Sequence, residues 1–345
     1  MMKINKRIGG FFAESDHELY RTLPDQKQVD ELFPTSKNGK DCFFFETGID
    51  ALASIINEIP STKANYTLWT PANFCYESLA RLKTKIKSPI EFQPYKDSSD
   101  LLISRDKTHL FLFFHLNTFD KQSSVKIKKL KQQYPHLIVI EDFVQAPLDM
   151  AHFTGDYAFN SLRKFSSLEL SVAYTHQVSS TLTQSPYYSL KKQAAKLKSQ
   201  FYQNPSVAIE DKYLALNKQA ESLLLSPEIY LADSEEVKRL NNFDFLKVKQ
   251  IREKNYACLH ESLASNPGLH ILSGQYMYFM MQTPDRDFLR KKLIENDIFP
   301  VIHWLDSNST ASKTSLSLHI DQRYTEQDME RVAGLIRDFL SEIKN

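Results

Sequence analysis

The chain has 345 residues, of which 42% are hydrophobic, so it exceeds one typical domain and can bury a substantial core. Lys and Arg total 43 against 42 Asp and Glu. This balance gives no general attraction to nucleic acid or an anionic membrane and leaves a small molecule or another protein as the expected partner.

Eight glycines with no GxGxxG or GxxxxGK run argue against a dinucleotide-binding oxidoreductase or a phosphate-loop NTPase. "MMKINKRIGGFFAESD" at the N-terminus has no long apolar run, and no stretch of about 18 apolar residues occurs anywhere, so the expectation is a soluble, cytoplasmic protein. Cys42, Cys75 and Cys258 are odd in number and far apart, which fits a reducing compartment. The ten histidines show no HExxH-type spacing, and no metal site is expected.

In chain order, "FFFETGIDALASII" (43–56) is an apolar run that meets Thr47 and Gly48 and continues as a helix-like segment. Glycine lets backbone approach a ligand, and free N–H groups at a helix start favour phosphate; a plain N-cap by Thr47 with Gly48 in a turn is the plainer alternative. "YTLWTP" (66–71) reads as a short strand ending at Pro71. "PANFCYES" (71–78) follows it, where Phe74 or Tyr76 could stack on a flat ring, or Phe74 could be core. "YESLARLKTK" then reads as a helix with Leu79 and Leu82 on one face.

"THLFLFFHLN" (108–117) is a strand buried on both faces, and "SVKIKKLKQQYP" (124–135) a lysine-rich amphipathic helix stopped near Pro135. "LIVIED" (137–142) and "DYAFNSL" (156–162) are two more strands. Strand, helix, strand at this spacing predicts an α/β fold with a mainly parallel sheet flanked by helices, whose ligands gather at the carboxyl ends of the strands.

Asp142 falls at such an end, with Gln145 three residues on; an ionised carboxylate there wants a cationic or hydrogen-bonding partner, or it caps a loop. "SLRK" (161–164) follows the next strand. Ser161 can donate to a phosphate oxygen beside the Lys164 amine, and Arg163 is a candidate for the charge that lowers that amine's pKa; a surface Ser and Lys is the plainer alternative.

Residues 187–240 read as helical, with "LKKQAAKLKSQFYQ" taken as a solvated face. Beyond 240 come a helix at "FLKVKQIREKNYACLHESLA" and strands at "LHILS" and "YMYFMMQ". A helix at "DRDFLRKKLIEND", strands near "IFPVIHW" and "TSLSLHI", and a last helix at "TEQDMERVAGLIRDFLSEI" follow, with Thr325 its N-cap and Asp328 three residues on. The expected division is a large cofactor-binding domain over 1–240, including the N-terminal segment, and a small α+β domain over 241–345.

A phosphate loop, a stacking segment, an acid and a lysine, in that order, together describe a planar pyridine bearing a phosphate and an aldehyde. Pyridoxal phosphate needs a lysine Schiff base and an acid on its ring nitrogen.

At this point the sequence resembles the DegT-type sugar aminotransferases, a family of fold-type I pyridoxal-phosphate aminotransferases. The matching pieces are "TGIDAL", "PANFC", "IEDFVQA", "SLRK" and "SLSLHIDQRYTEQDM", colinear over roughly 40–340. The resemblance implies that Lys164 holds the aldehyde, Asp142 the ring nitrogen and Gln145 the ring hydroxyl, while Thr47, Gly48 and Ser161 meet the phosphate. Phe74, Cys75 and Tyr76 remain alternatives for the stacking residue, because the family's usual large aromatic stands where this chain has Cys75. After the lysine, where relatives often carry a Gly pair, this chain reads "LELSVAY".

The implied activity is transfer of an amino group from glutamate to a keto sugar carried on a nucleotide, by a homodimer, in polysaccharide or lipopolysaccharide sugar biosynthesis. Lys164, rather than the His of the family's dehydrating members, favours transamination. Arg323 is a candidate for clamping a carboxylate in bidentate fashion, with a surface ion pair as its alternative. Two other readings stand beside this one: a binding or regulatory protein that kept the fold without turnover, and a pyridoxal-phosphate enzyme acting on an amino acid.

Overall fold

The computed structural model describes residues 7–13, 19–21, 24–60, 66–72, 74–117, 120–178, 185–272, 274, 276–303 and 313–344. The chain divides into two compact units, Phe12–Phe243 and a second made of Asp244–Asn345 with Met1–Phe11.

The first unit is built on an eight-stranded sheet. Its strands are β1 (Ser36–Lys37), β2 (Lys40–Phe45), β3 (Tyr66–Pro71), β4 (Ile90–Tyr95), β5 (Thr108–Phe114), β6 (Ile138–Asp142), β7 (Tyr157–Phe159) and β8 (Ser171–Thr175), in the spatial order β1-β2-β8-β7-β6-β5-β3-β4. β4, β3, β5, β6 and β7 are mutually parallel. β8 runs antiparallel to both β7 and β2, so β2 points the same way as the parallel set. The mainly parallel α/β sheet expected from the alternating pattern is present, with β8 and β1 reversed within it.

The period-two side-chain rule explains why the central strands are apolar throughout. Leu68, Leu110, Leu112 and Ile140 face α2 (Gly48–Glu58), which buries Ala51, Leu52, Ile55 and Ile56 against them. Trp69, Phe111 and Val139 face the other way, toward Ile127 and Leu130 of α4 (Lys121–Gln133). Each large side chain buried here contributes about 1.5–3 kcal/mol. α3 (Tyr76–Lys85) follows β3, and α5 (Pro186–Gln203), α6 (Val207–Leu223) and α7 (Ser234–Asn242) fill the helical region expected after 187. α1 (Gln26–Leu32) precedes the sheet.

The second unit holds an antiparallel sheet of β9 (His270–Ile271), β10 (Tyr278–Gln282) and β11 (Ser315–His319), in the order β11-β10-β9. α8 (Phe245–Leu263), α9 (Arg286–Glu295) and α10 (Glu326–Lys344) pack on it. Thr325 and Asp328 form the expected reciprocal cap: Asp328 N donates to Thr325 Oγ1 at 3.3 Å and Thr325 N to Asp328 Oδ2 at 2.9 Å.

The segment "IFPVIHW" is not a strand over its described residues. It makes only single bridges, Ile298 to Ile8 and Val301 to Ser317. Pro300 between them has no N–H to give a ladder. Trp304 of that segment, and Ser273 of "LHILS", lie outside the described residues.

Candidate active site

Because β2 and the parallel strands share a direction, the segments leaving β2, β3, β6 and β7 emerge on one edge of the sheet. These are the segments carrying Thr47 and Gly48, Phe74 to Tyr76, Asp142, and Ser161 to Lys164.

Asp142 is the last residue of β6 and is 3% exposed. Its Oδ1 accepts from Val144 N at 2.8 Å. Desolvation pushes its carboxyl up to about 7, against the opposing pull of that hydrogen bond and of the Lys164 charge. Lys164 ends the 3₁₀ turn Leu162–Lys164 that follows β7. Solvent reaches its side chain, yet protein crowds around it. The crowding is the largest cause that lowers its amine pKa, and the Arg163 charge is the next; Asp142 and Cys75 oppose them, and Arg81 adds to the lowering. Arg163 thus has the electrostatic effect expected of it.

Ser161 and Gln145 are both buried, at 3% and 5% exposure. Ser161 Oγ and Gln145 Oε1 find no hydrogen-bond partner among the described residues. A buried polar atom without a partner costs about 1–3 kcal/mol, so two of them on one strand edge call for a polar ligand. One is a hydroxyl that can donate to phosphate, the other an amide oxygen that can accept from a hydroxyl. Both fit pyridoxal phosphate.

Thr47 caps α2: its Oγ1 accepts from Asp50 N at 3.2 Å and donates to Asp50 Oδ2. That hydroxyl is therefore committed to the cap, and the backbone of Gly48 is what the loop offers. A Cβ on Gly48 would lie 3.2 Å from Asn160 O and 3.3 Å from Ser161 Cβ, so glycine lets the β2 and β7 exits close on each other. Asp50 itself is buried and ion-paired with Lys85 of α3 at 3.0 Å.

Of the stacking alternatives, Phe74 is half-buried against the core, Cys75 is exposed and close enough to Lys164 to bias its amine, and Tyr76 is 67% exposed. Tyr76 lines an open cavity of about 390 Å³ together with Glu77, Arg81, Lys218, Glu221 and Leu225.

Arg323 belongs to the second unit. Its Nε and Nη2 engage the two oxygens of Asp321 at 2.7 and 2.8 Å, and its Nη1 donates to the carbonyls of Gly10 and Phe11. A second carboxylate would have to compete with Asp321 for that fork.

Three features carried no local signal in the sequence. Glu141, beside Asp142 but on the opposite sheet face, is fully buried; it sits 2.7 Å from His115 Nε2 and accepts from Thr154 N and Gly155 N. Glu46, just before Thr47, is buried and pushed up to about 8, chiefly by desolvation. Lys191, read as part of a solvated face, is 5% exposed and reaches Glu169, Glu221 and Asn217.

No protein-family model matches the chain, and no curated protein matches it in sequence. Solved structures do. A protein assigned as a sugar aminotransferase from Streptococcus pneumoniae, in its PLP form, superposes with a TM-score of 0.60 at 11% identity, covering 97% of this chain and 94% of that one. A DegT/DnrJ/EryC1/StrS aminotransferase from Brucella abortus gives 0.55 at 13% identity, with 94% and 92% covered. An aminotransferase of pseudoaminic acid biosynthesis from Helicobacter pylori gives 0.58 at 11% identity, with 98% and 100% covered. The chain therefore has the fold of these aminotransferases, the fold-type I architecture that its motifs imply.

Proposed function

We propose that the chain is a pyridoxal-phosphate-dependent aminotransferase of the DegT type acting on a sugar. One observation carries the reading: a buried carboxylate, Asp142, and a solvent-reached lysine, Lys164, lie at the ends of the neighbouring strands β6 and β7 in a fold shared with sugar aminotransferases. The bound cofactor supplies an electron sink that eases loss of a proton from the substrate carbon.

Lys164 would hold the cofactor aldehyde. Its lowered pKa keeps more of the amine neutral, the form that attacks a carbonyl carbon. The free Lys164 Nζ would then act as the general base that carries a proton between the substrate carbon and the cofactor. Asp142 would hold the proton on the ring nitrogen, and its carboxylate form would be favoured beside that cation. Gln145 Oε1 would accept from the ring hydroxyl. Ser161 Oγ, the Gly48 backbone and the capped start of α2 at Thr47 would meet the phosphate. Phe74, Cys75 or Tyr76 would lie against the ring.

The finer reading is a keto sugar on a nucleotide as acceptor and glutamate as donor, with Arg323 a candidate for the donor carboxylate, in a cytoplasmic homodimer of polysaccharide sugar biosynthesis. The unit Phe12–Phe243 and the unit of Asp244–Asn345 with Met1–Phe11 would serve as the cofactor-binding and small domains.

Incubation with pyridoxal phosphate is expected to give a yellow absorbance band that borohydride bleaches, leaving the label on Lys164. Lys164→Ala is expected to stay colourless. A colourless unaltered protein sinks the cofactor reading. A band that glutamate and other amino donors fail to convert to the amine form sinks the aminotransferase reading and leaves a binding protein.

A further inference from the structure

Lys164 does not stand alone on its turn. Arg163 Nη1 donates to Glu221 Oε1 at 3.1 Å and to the Tyr187 hydroxyl at 2.7 Å. The other oxygen of Glu221 lies 3.3 Å from Arg81 Nη1, and Lys191 Nζ lies 3.5 Å from Oε1. Tyr187 in turn donates to Glu169 Oε2 at 3.1 Å, and Glu169 also lies 3.7 Å from Lys191. α3, the lysine turn, α5 and α6 thus meet on one carboxylate. Burial tends to raise the Glu221 carboxyl, but Arg163, Lys191 and Arg81 prevail and hold it below the ordinary range.

We infer that Glu221 is a positioning residue for Lys164: it fixes the guanidinium groups of Arg163 and Arg81 and so sets how near their positive charge lies to the Lys164 amine. The inference rests on the reading of Lys164 as the cofactor lysine. The charged groups facing the amine are Arg163 on its own turn, Asp142 from β6, Cys75 from the segment before α3, and Arg81 from α3. The two arginines favour the neutral amine, while Asp142 and the thiolate form of Cys75 favour the ammonium. Glu221 acts through both arginines at once, and its two oxygens divide between them. Glutamine at 221 keeps the shape and removes one negative charge. The arginines then lose the charge that draws them toward α6 and can turn toward the lysine turn, which disfavours the ammonium form of Lys164.

The test uses cofactor-free protein. Acetylation of Lys164 by acetic anhydride is followed by mass spectrometry between about pH 6 and 10, which brackets a depressed lysine. Glu221→Gln is expected to move the Lys164 midpoint to lower pH by about half a unit or more. Arg163→Gln and Arg81→Gln are expected to move it upward. In the Arg163→Gln background, Glu221→Gln is expected to shift it by less than half as much, because the main intermediary is gone. No shift or an upward shift in Glu221→Gln, or an equal shift in both backgrounds, overturns the inference. Borohydride trapping of pyridoxal phosphate in the unaltered protein reads the other question separately. Failure to label Lys164 there removes the cofactor reading and leaves the charge relation standing.

Discussion

Asp142 illustrates how a single side chain can oppose stability and serve a site. Its carboxyl titrates at about 7 when folded, against about 3.9 in an unfolded chain. A value raised by folding means a contribution to stability that is full below about pH 4 and lost as pH rises toward 7. The difference is worth on the order of 4 kcal/mol. In the cofactor-free protein, Asp142→Asn is therefore expected to raise the unfolding free energy at pH 8 by roughly 2–4 kcal/mol and to leave it unchanged near pH 4. Urea unfolding at the two pH values checks this, and equal stability of the two proteins at pH 8 refutes it. The same substitution is expected to abolish turnover, the usual opposition between a strained site and a stable one. Asp142, Ser161 and Lys164 were legible in the sequence because an apolar run that stops marks a strand end. Glu221, Arg81 and Lys191 were not, because partners on different helices leave no local period to read.

At the scale of elements, α2 and α3 are joined at their polar ends by Asp50 and Lys85, both buried and 3.0 Å apart. Removing one member strands the other without its partner. Lys85→Met is expected to cost about 3 kcal/mol, and adding Asp50→Asn is expected to restore most of that loss. Denaturant midpoints of the single and double variants measure it; a double variant no more stable than the single one contradicts a direct coupling. In the first unit the strands found from sequence were β3, β5, β6 and β7, and in the second β9, β10 and β11; the clearest were the long apolar runs of β5 and β6. β8 was missed, since "SVAYT" is short and its buried positions are mostly small or hydroxylated. Its reversed direction cannot be read from composition at all. "IFPVIHW" had strand composition but a proline where the ladder needs a donor.

For the whole molecule, every proposed cofactor residue lies within Phe12–Phe243. A ligand that binds only the folded unit stabilises it by mass action, about 2.7 kcal/mol at a hundred times its dissociation constant. Pyridoxal phosphate is thus expected to raise the unfolding midpoint followed by Trp69 fluorescence in a Trp304→Phe variant, and Lys164→Ala is expected to lose most of that shift. No rise in the unaltered site contradicts cofactor binding in this unit. The sheet order has one more consequence, for synthesis on the ribosome. β2, with its Phe43, Phe44 and Phe45, lies between β1 and β8 in the sheet, and Phe45 also bridges Leu231. Phe45 pairs with Ser171, so roughly 125 residues must still emerge before β2 gains its inner neighbour, on the order of 6 to 25 seconds of translation. Throughout that interval Phe43, Phe44 and Phe45, in the segment that leads directly into Thr47 and Gly48, lack the β8 partners they have in the folded sheet.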